Sequence, residues 1–212
     1  QQGNVWGIGL FTLLGFPFIG MIVLTVFPTR FIPNISFLFN SHNFISDTLI
    51  GLAVGVALGF VAYKLSQHPI VAPSAERYSD MLSSLKLNYP KIIFLSFCAG
   101  FGEEVLFRGI IQHYWGIWPT AAVFVAIHGY LNPKDWRLSV YGVFMTVAMA
   151  GLGYLAEWVD LWAAIWAHFA IDLVLFIQYK RAEDLEAAEE KLLAEEMSQS
   201  SSEDEVTEPL ED

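Results

Sequence analysis

Residues 102–109 of this chain read Gly-Glu-Glu-Val-Leu-Phe-Arg-Gly, and they put two carboxylates and a guanidinium inside a stretch otherwise apolar enough to enter a lipid bilayer. Each ionised group at the bilayer centre costs roughly 2.5 to 3.5 kcal/mol on insertion scales. Three unpaired charges would cost about as much as the stability of a whole domain, so they must pair or line a polar cavity. On a helix, Glu104 and Arg108 stand at i and i+4 on one face. Glu103 is turned about 100° away and has no such partner within its own helix, which leaves it available for chemistry.

The surroundings make the bilayer reading firm. Of the 212 residues, 55% are hydrophobic and 15% aromatic, and several apolar runs approach the ~20 residues that a spanning helix needs. The formal charge of −11 is misleading, because residues 182–212 hold 13 of the 22 acidic groups and only one base, Lys191. Residues 1–181 carry 9 acidic and 10 basic groups, so the membrane body is nearly neutral and the acidity belongs to the tail. A single cysteine, Cys98, forms no internal disulfide and gives no signal of redox compartment. No basic region precedes the first apolar run, and no signal peptide is read there.

In chain order, a first span is predicted from about Val5 to Phe27, closed by Pro28 and Pro33. A second, from about Phe44 to Leu65, carries Gly51, Gly55 and Gly59 at four-residue spacing, a pattern that lets helix backbones approach closely in lipid. Between Pro69 and Pro90, Tyr78, Met81, Leu82 and Leu85 recur at helical spacing among charged residues, which predicts an amphipathic interfacial helix. A third span runs from about Lys91 to Tyr114, with Glu103 ~18 Å along it. The fourth apolar stretch, Trp118 to Leu131, covers only ~21 Å of a ~30 Å hydrocarbon core and is short or shielded by neighbours. Span five ends near Trp158, and span six runs from about Leu161 to Tyr179. The expected architecture is all-α, a polytopic membrane bundle of about six helices plus the interfacial helix. Residues 1–68 form two N-terminal spans, 69–180 a core, and 181–212 an acidic, partly disordered tail.

Lys64, Arg77, Lys86, Lys91, Lys134, Arg137, Lys180 and Arg181 fall on one side of such a bundle and Arg30 on the other, so both termini are expected in the cytoplasm. Glu183 to Met197 reads as a charged, solvated helix, and Ser198 to Asp212 has the serine-rich acidic composition of disorder. The Asn34-Ile35-Ser36 sequon carries no weight, since three-residue matches are common.

Two more polar sites lie inside apolar helices. Phe124-Val125-Ala126-Ile127-His128 sets an imidazole near the end of the short fourth segment, and His168-Phe169-Ala170-Ile171-Asp172 stacks a histidine and a carboxylate at i and i+4. A lone intramembrane histidine is ordinarily an interhelical hydrogen bonder. Together, however, Glu103, Glu104, Arg108, His128, His168 and Asp172 are nearly all the ionisable groups within the predicted spans, and such groups mark functional cavities.

Glu103-Glu104-x-x-x-Arg108, Phe124-x-x-x-His128 and His168-x-x-x-Asp172 resemble, in order and placement, the three motifs of the CPBP family, the CAAX protease and bacteriocin-processing intramembrane proteases, also called the Abi family. The resemblance covers about residues 70–180. It implies a multipass glutamate protease in which Glu103 and His128 activate a water, His168 and the residue at 172 stabilise the oxyanion, and Glu104 and Arg108 support the site. Family members often have asparagine at the position of Asp172, though some carry aspartate; since an ionised aspartate has no proton to donate to an oxyanion, Asp172 must be protonated, must orient His168, or must serve in another way.

Three rival readings follow from the same residues. Glu103, His128, His168 and Asp172 are all zinc-ligand types, but no H-E-x-x-H stands on one helix; no cofactor is implied, with zinc the alternative. A catalytically silent scaffold or regulator would keep the polar cluster for helix packing. A proton-coupled transporter would use Glu and His as relays, but no repeat supports one. Cys98 lies five residues before Glu103, off its face, and reads as a packed thiol. The partners expected are the bilayer and a peptide or protein substrate within it, prenylated or leader-bearing substrates included; nucleic acid is not one.

Overall fold

The computed structural model describes residues 4–28, 38, 43–75, 83 and 85–206, with side chains as far as Met197. Among the described residues seven α-helices follow one another: α1 (Val5–Val26), α2 (Phe44–Ser66), α3 (Tyr89–Leu106), α4 (Gln112–Trp115), α5 (Ile117–Ile127), α6 (Trp136–Trp158) and α7 (Leu161–Val206). A π-helical turn, Phe107–Ile111, joins α3 to α4. The helix starts have simple local causes: Asn4, Asn43, Asn88 and Asp135 each turn a side-chain oxygen onto a backbone N–H of the first turn, satisfying donors that the helix itself leaves unpaired.

The all-helical membrane bundle expected from the sequence is the one that forms. Among the described residues, four helices, α1, α2, α6 and α7, are long and apolar enough to cross a membrane. The other two of the six expected are those that carry the site's first two motifs. The third keeps Lys91, Glu103 and Glu104 in its 18 α-helical residues, and the fourth, α5, is 11 residues long, only ~16 Å. The sixth differs in length: no glycine or proline occurs between Leu161 and Val206, so α7 continues through Lys180 and past Met197 to Val206 as one helix. Most of the expected interfacial helix, the Asn34 sequon, Arg30 and residues 207–212 lie outside the described residues. Of the interfacial row, Leu85 is described, and it packs on the Val5, Leu87 and Ile92 cluster.

Helix directions follow from the packing pairs. Val5 clusters with Ile92, a side chain at Gly20 would meet Ile110, and the Tyr114 hydroxyl donates to the Phe27 carbonyl, so α1 runs parallel to α3. Likewise α2 runs parallel to α7, from Gly51 against Ala163 to Tyr63 against Tyr179 with ring centroids 5.8 Å apart. One end of the bundle therefore collects Val5, Ser66, Tyr89, Trp136 and Tyr179; the other collects Val26, Phe44, Trp115, Trp158 and Leu161. The first end also carries Lys64, Lys86, Lys91, Lys134, Arg137 and Lys180, and is called the basic end below. Exposed Trp136 and Trp158 bracket α6 about 33 Å apart, the spacing of aromatic belts at the two membrane surfaces.

Close backbone approach brings α1 and α2 onto the helices that bear the site. A Cβ on Gly55 would lie 2.2 Å from the carbonyl oxygen of Ala167, and one on Gly102 would lie 2.2 Å from that of Thr12; neither contact exists with any side chain larger than hydrogen. The register of α3 against α7 is set at Gly100, where a Cβ would lie 2.9 Å from both the Ile165 carbonyl oxygen and the Phe169 nitrogen, and this brings Glu103 and His168 to one level.

Candidate active site

Glu103 stands ~21 Å along its helix from Tyr89 and ~18 Å from Trp115, near mid-depth. Helix α5 descends from the far end and stops at the same level, so that His128 is its C-cap. Gly129, at φ 80°, then takes the left-handed turn that an L side chain disfavours, and the chain runs on through Tyr130 to Asp135 without regular structure. Irregular backbone at membrane depth survives only where it is covered by protein or lines a cavity. Here both hold: the Tyr130 carbonyl lies against Gly142 of α6, and Tyr130 and His128 line a cavity of about 410 Å³.

That cavity runs from Glu103, His128, His168 and Asp172 to Ser66, Val71 and Tyr179 at the basic end. Its walls are otherwise mostly apolar, with Phe124, Leu138, Met145, Met149 and Ile171 among them. Every sequence-predicted site residue is at or beside this place.

The inner pair behaves as its spacing predicts. Arg108 Nη1 donates to Glu104 Oε1 at 2.8 Å, and both side chains are essentially shut off from solvent. The guanidinium is further held by the Met149 carbonyl, to which Nη2 donates at 3.1 Å, and by the Phe124 ring, whose centroid is 4.6 Å from Cζ, a cation–π distance. Arg108, within the π turn at Phe107–Ile111, and Gln112, just after it, both reach α6, at Met149 and Gly153.

A second partner of Glu104 was not visible in the sequence. His168 Nδ1 lies 2.7 Å from the same Oε1; opposite a carboxylate already paired with arginine, Nδ1 is the protonated nitrogen and donates. His128 is fixed comparably, because its Nδ1 is 2.7 Å from the Phe124 carbonyl, which can only accept. The F-x-x-x-H spacing was legible, but the carbonyl's part in it was not. Both imidazoles thus turn Nε2 into the cavity.

There the remaining groups form a row. His128 Nε2 is 3.6 Å from Glu103 Oε2, the same oxygen is 3.9 Å from His168 Nε2, and His168 Nε2 is 3.7 Å from Asp172 Oδ2. Glu103 Oε2 is buried and makes no direct hydrogen bond among the described residues. Each gap exceeds direct hydrogen-bond range and suits a bridging water or a substrate atom. Among the described residues, no three histidine, cysteine or carboxylate side chains are placed to share one metal ion. Cys98 is a buried free thiol, outside the cavity lining.

Comparison with known proteins agrees with the geometry. Residues 86–174 match the family of type II CAAX prenyl endopeptidase Rce1-like proteins. The protein YpbD of Bacillus subtilis (strain 168), itself described as uncharacterized, is 37% identical over 97 residues, 45% of this chain and 49% of YpbD; the match thus spans about half the length of that relative. No solved structure matches the chain. The segment that carries Glu103, Glu104, Arg108, His128, His168 and Asp172 is thus the one that is similar to the Rce1-like CAAX prenyl endopeptidases.

Proposed function

We propose that this protein is an intramembrane endopeptidase that hydrolyses a peptide bond in a membrane-associated substrate, with a water activated between Glu103 and His128. The observation that carries the reading is the 3.6 Å separation of Glu103 Oε2 and His128 Nε2, two acceptors facing each other in a mostly apolar cavity. A water between them gives one hydrogen to each and points its lone pair at the cavity. The carboxylate is the general base of the pair, held where it can take the water's proton in the transition state. As the water oxygen bonds to the scissile carbonyl carbon, its proton passes to Glu103. The tetrahedral oxyanion lies against the His168 imidazole, and when the C–N bond breaks, the proton on Glu103 moves to the departing nitrogen. Glu104 and Arg108 keep His168 in place.

The family match supports peptide hydrolysis at the level of the family. The mostly apolar walls suit an extended, apolar peptide segment entering from the basic end, which the Lys and Arg count assigns to the cytoplasm. Prenylated C-terminal motifs, leader peptides and membrane-protein segments all have that character.

Quantitative comparison of the membrane peptides of cells expressing wild-type protein or Glu103→Gln tests the reading. At least one cleavage is expected to be lost in the variant at equal protein level. Indistinguishable peptide sets would instead favour a silent scaffold.

A further inference from the structure

The row His128 Nε2, Glu103 Oε2, His168 Nε2, Asp172 Oδ2 has a property that its members do not have singly. Both Nδ1 atoms are committed as donors, to Phe124 and to Glu104. If both imidazoles are neutral, each Nε2 carries a lone pair, and all four facing atoms are acceptors with no donor among them. Charge makes the arrangement worse. Glu103, Glu104 and Asp172 bring three negative charges into the bundle interior, while Arg108 brings one positive charge and is engaged with Glu104 and the Met149 carbonyl. From the elements packed around His168, the charged groups facing it are thus Glu103 and Glu104 on α3, Asp172 on its own helix and, behind Glu104, Arg108; His128 is the other titratable group in the row, and Tyr141 of α6 lines the same cavity.

The geometry assigns the missing donor to His168: at neutral pH the resting site holds this side chain as an imidazolium, with Asp172 as the positioning carboxylate that keeps the proton on Nε2. This imidazole has carboxylate oxygens within 4 Å of both ring nitrogens, at 2.7, 3.7 and 3.9 Å, whereas the Nδ1 of His128 faces a neutral carbonyl. The placement deepens the hydrolytic reading and rests on it for its consequence: the group that meets the oxyanion is a cation, and residue 172 serves it as a counter-charge rather than as a second donor. An asparagine could donate to an oxyanion directly; Asp172, ionised, does not.

The test is 15N NMR of the full chain in nanodiscs with histidine ring nitrogens labelled, which distinguishes an imidazolium from either neutral tautomer. At pH 7, one histidine with both nitrogens protonated is expected, and its signals should vanish in His168→Gln. In Asp172→Asn the protonated fraction of that histidine should fall by about threefold or more, while Glu183→Gln, in the exposed part of α7, should leave it unchanged. In cleavage assays Asp172→Asn should lower kcat and spare KM. A neutral His168 in the wild-type protein, or an imidazolium untouched by Asp172→Asn, overturns the proposal. So does full or increased kcat in Asp172→Asn, the result of a direct donor at this position. If no cleavage occurs at all, the NMR expectation stands and it is the hydrolytic reading that falls.

Discussion

Glu104 Oε1 accepts at once from Arg108 Nη1 at 2.8 Å and from His168 Nδ1 at 2.7 Å, so one fully buried oxygen joins the charge pair of α3 to the imidazole of α7. The ion pair inferred from i, i+4 spacing is therefore half of a three-residue connection that orients a ring in the cavity. A buried carboxylate that fixes a histidine's tautomer through Nδ1 is a recurrent way of aiming Nε2.

Removing Arg108 leaves Glu104 buried without its cation, a truncation that typically costs about 3 to 5 kcal/mol. Arg108→Ala should lower the midpoint of thermal unfolding in detergent and reduce yield. Exchanging the charges, Glu104→Arg with Arg108→Glu, rebuilds the pair but sets a guanidinium against the donating Nδ1 of His168. That double variant should recover part of the stability and none of the activity. Wild-type unfolding of Arg108→Ala would contradict the account.

Glu103→Gln keeps shape but cannot take a proton, so cleavage should fall at least ~10²-fold with folding intact. His128→Ala should lose a similar amount. Because the two act on one water, the double variant should lose little more than either alone. Purified protein is expected to keep its activity after prolonged chelation; activity lost to the chelator and restored by zinc would make His128, His168 and a carboxylate ligands instead.

Gly55→Leu forces a side chain against the Ala167 carbonyl, where even a Cβ would lie 2.2 Å away. A cost of about 1 to 3 kcal/mol is expected from overpacking, together with impaired activity, since His168 is the next residue. Gly151, whose added Cβ would meet nothing within 4 Å, provides the contrast. Gly151→Ala should be neutral or slightly stabilising, by up to ~1 kcal/mol. Thermal unfolding of the two variants side by side checks both.

A reporter fused after Arg181 should be cytoplasmic, and one placed at the Trp158 end should be external, because the basic side chains gather at the other end. Deleting residues 198–212 should leave insertion and cleavage unchanged. An external C-terminus would reverse the membrane orientation and with it the side from which substrate enters.

Local chemistry settled a good part of this molecule before any fold was known. The spans at Val5–Val26, Phe44–Ser66 and Trp136–Trp158 follow from runs of apolar residues closed by caps, prolines and charges. The Glu104–Arg108 pair follows from helical geometry alone, as does the stacking of His168 with Asp172. Each depends on residues within a few positions of one another, where the backbone period dictates distance. What the sequence could not determine depends on register between helices. Whether His128 meets Glu103 is decided by α5 ending at mid-depth, and whether His168 meets Glu104 is decided by how far α7 slides along α3. The second offset is set by a close backbone contact, Gly100 of α3 on Ile165 and Phe169 of α7, between residues far apart in the chain. The glycine spacing marks a helix face as one for packing, but it does not name the helix received. For that reason the second partner of Glu104, the carbonyls of Phe124 and Met149, and the row of four acceptors in the cavity belong to the tertiary structure alone.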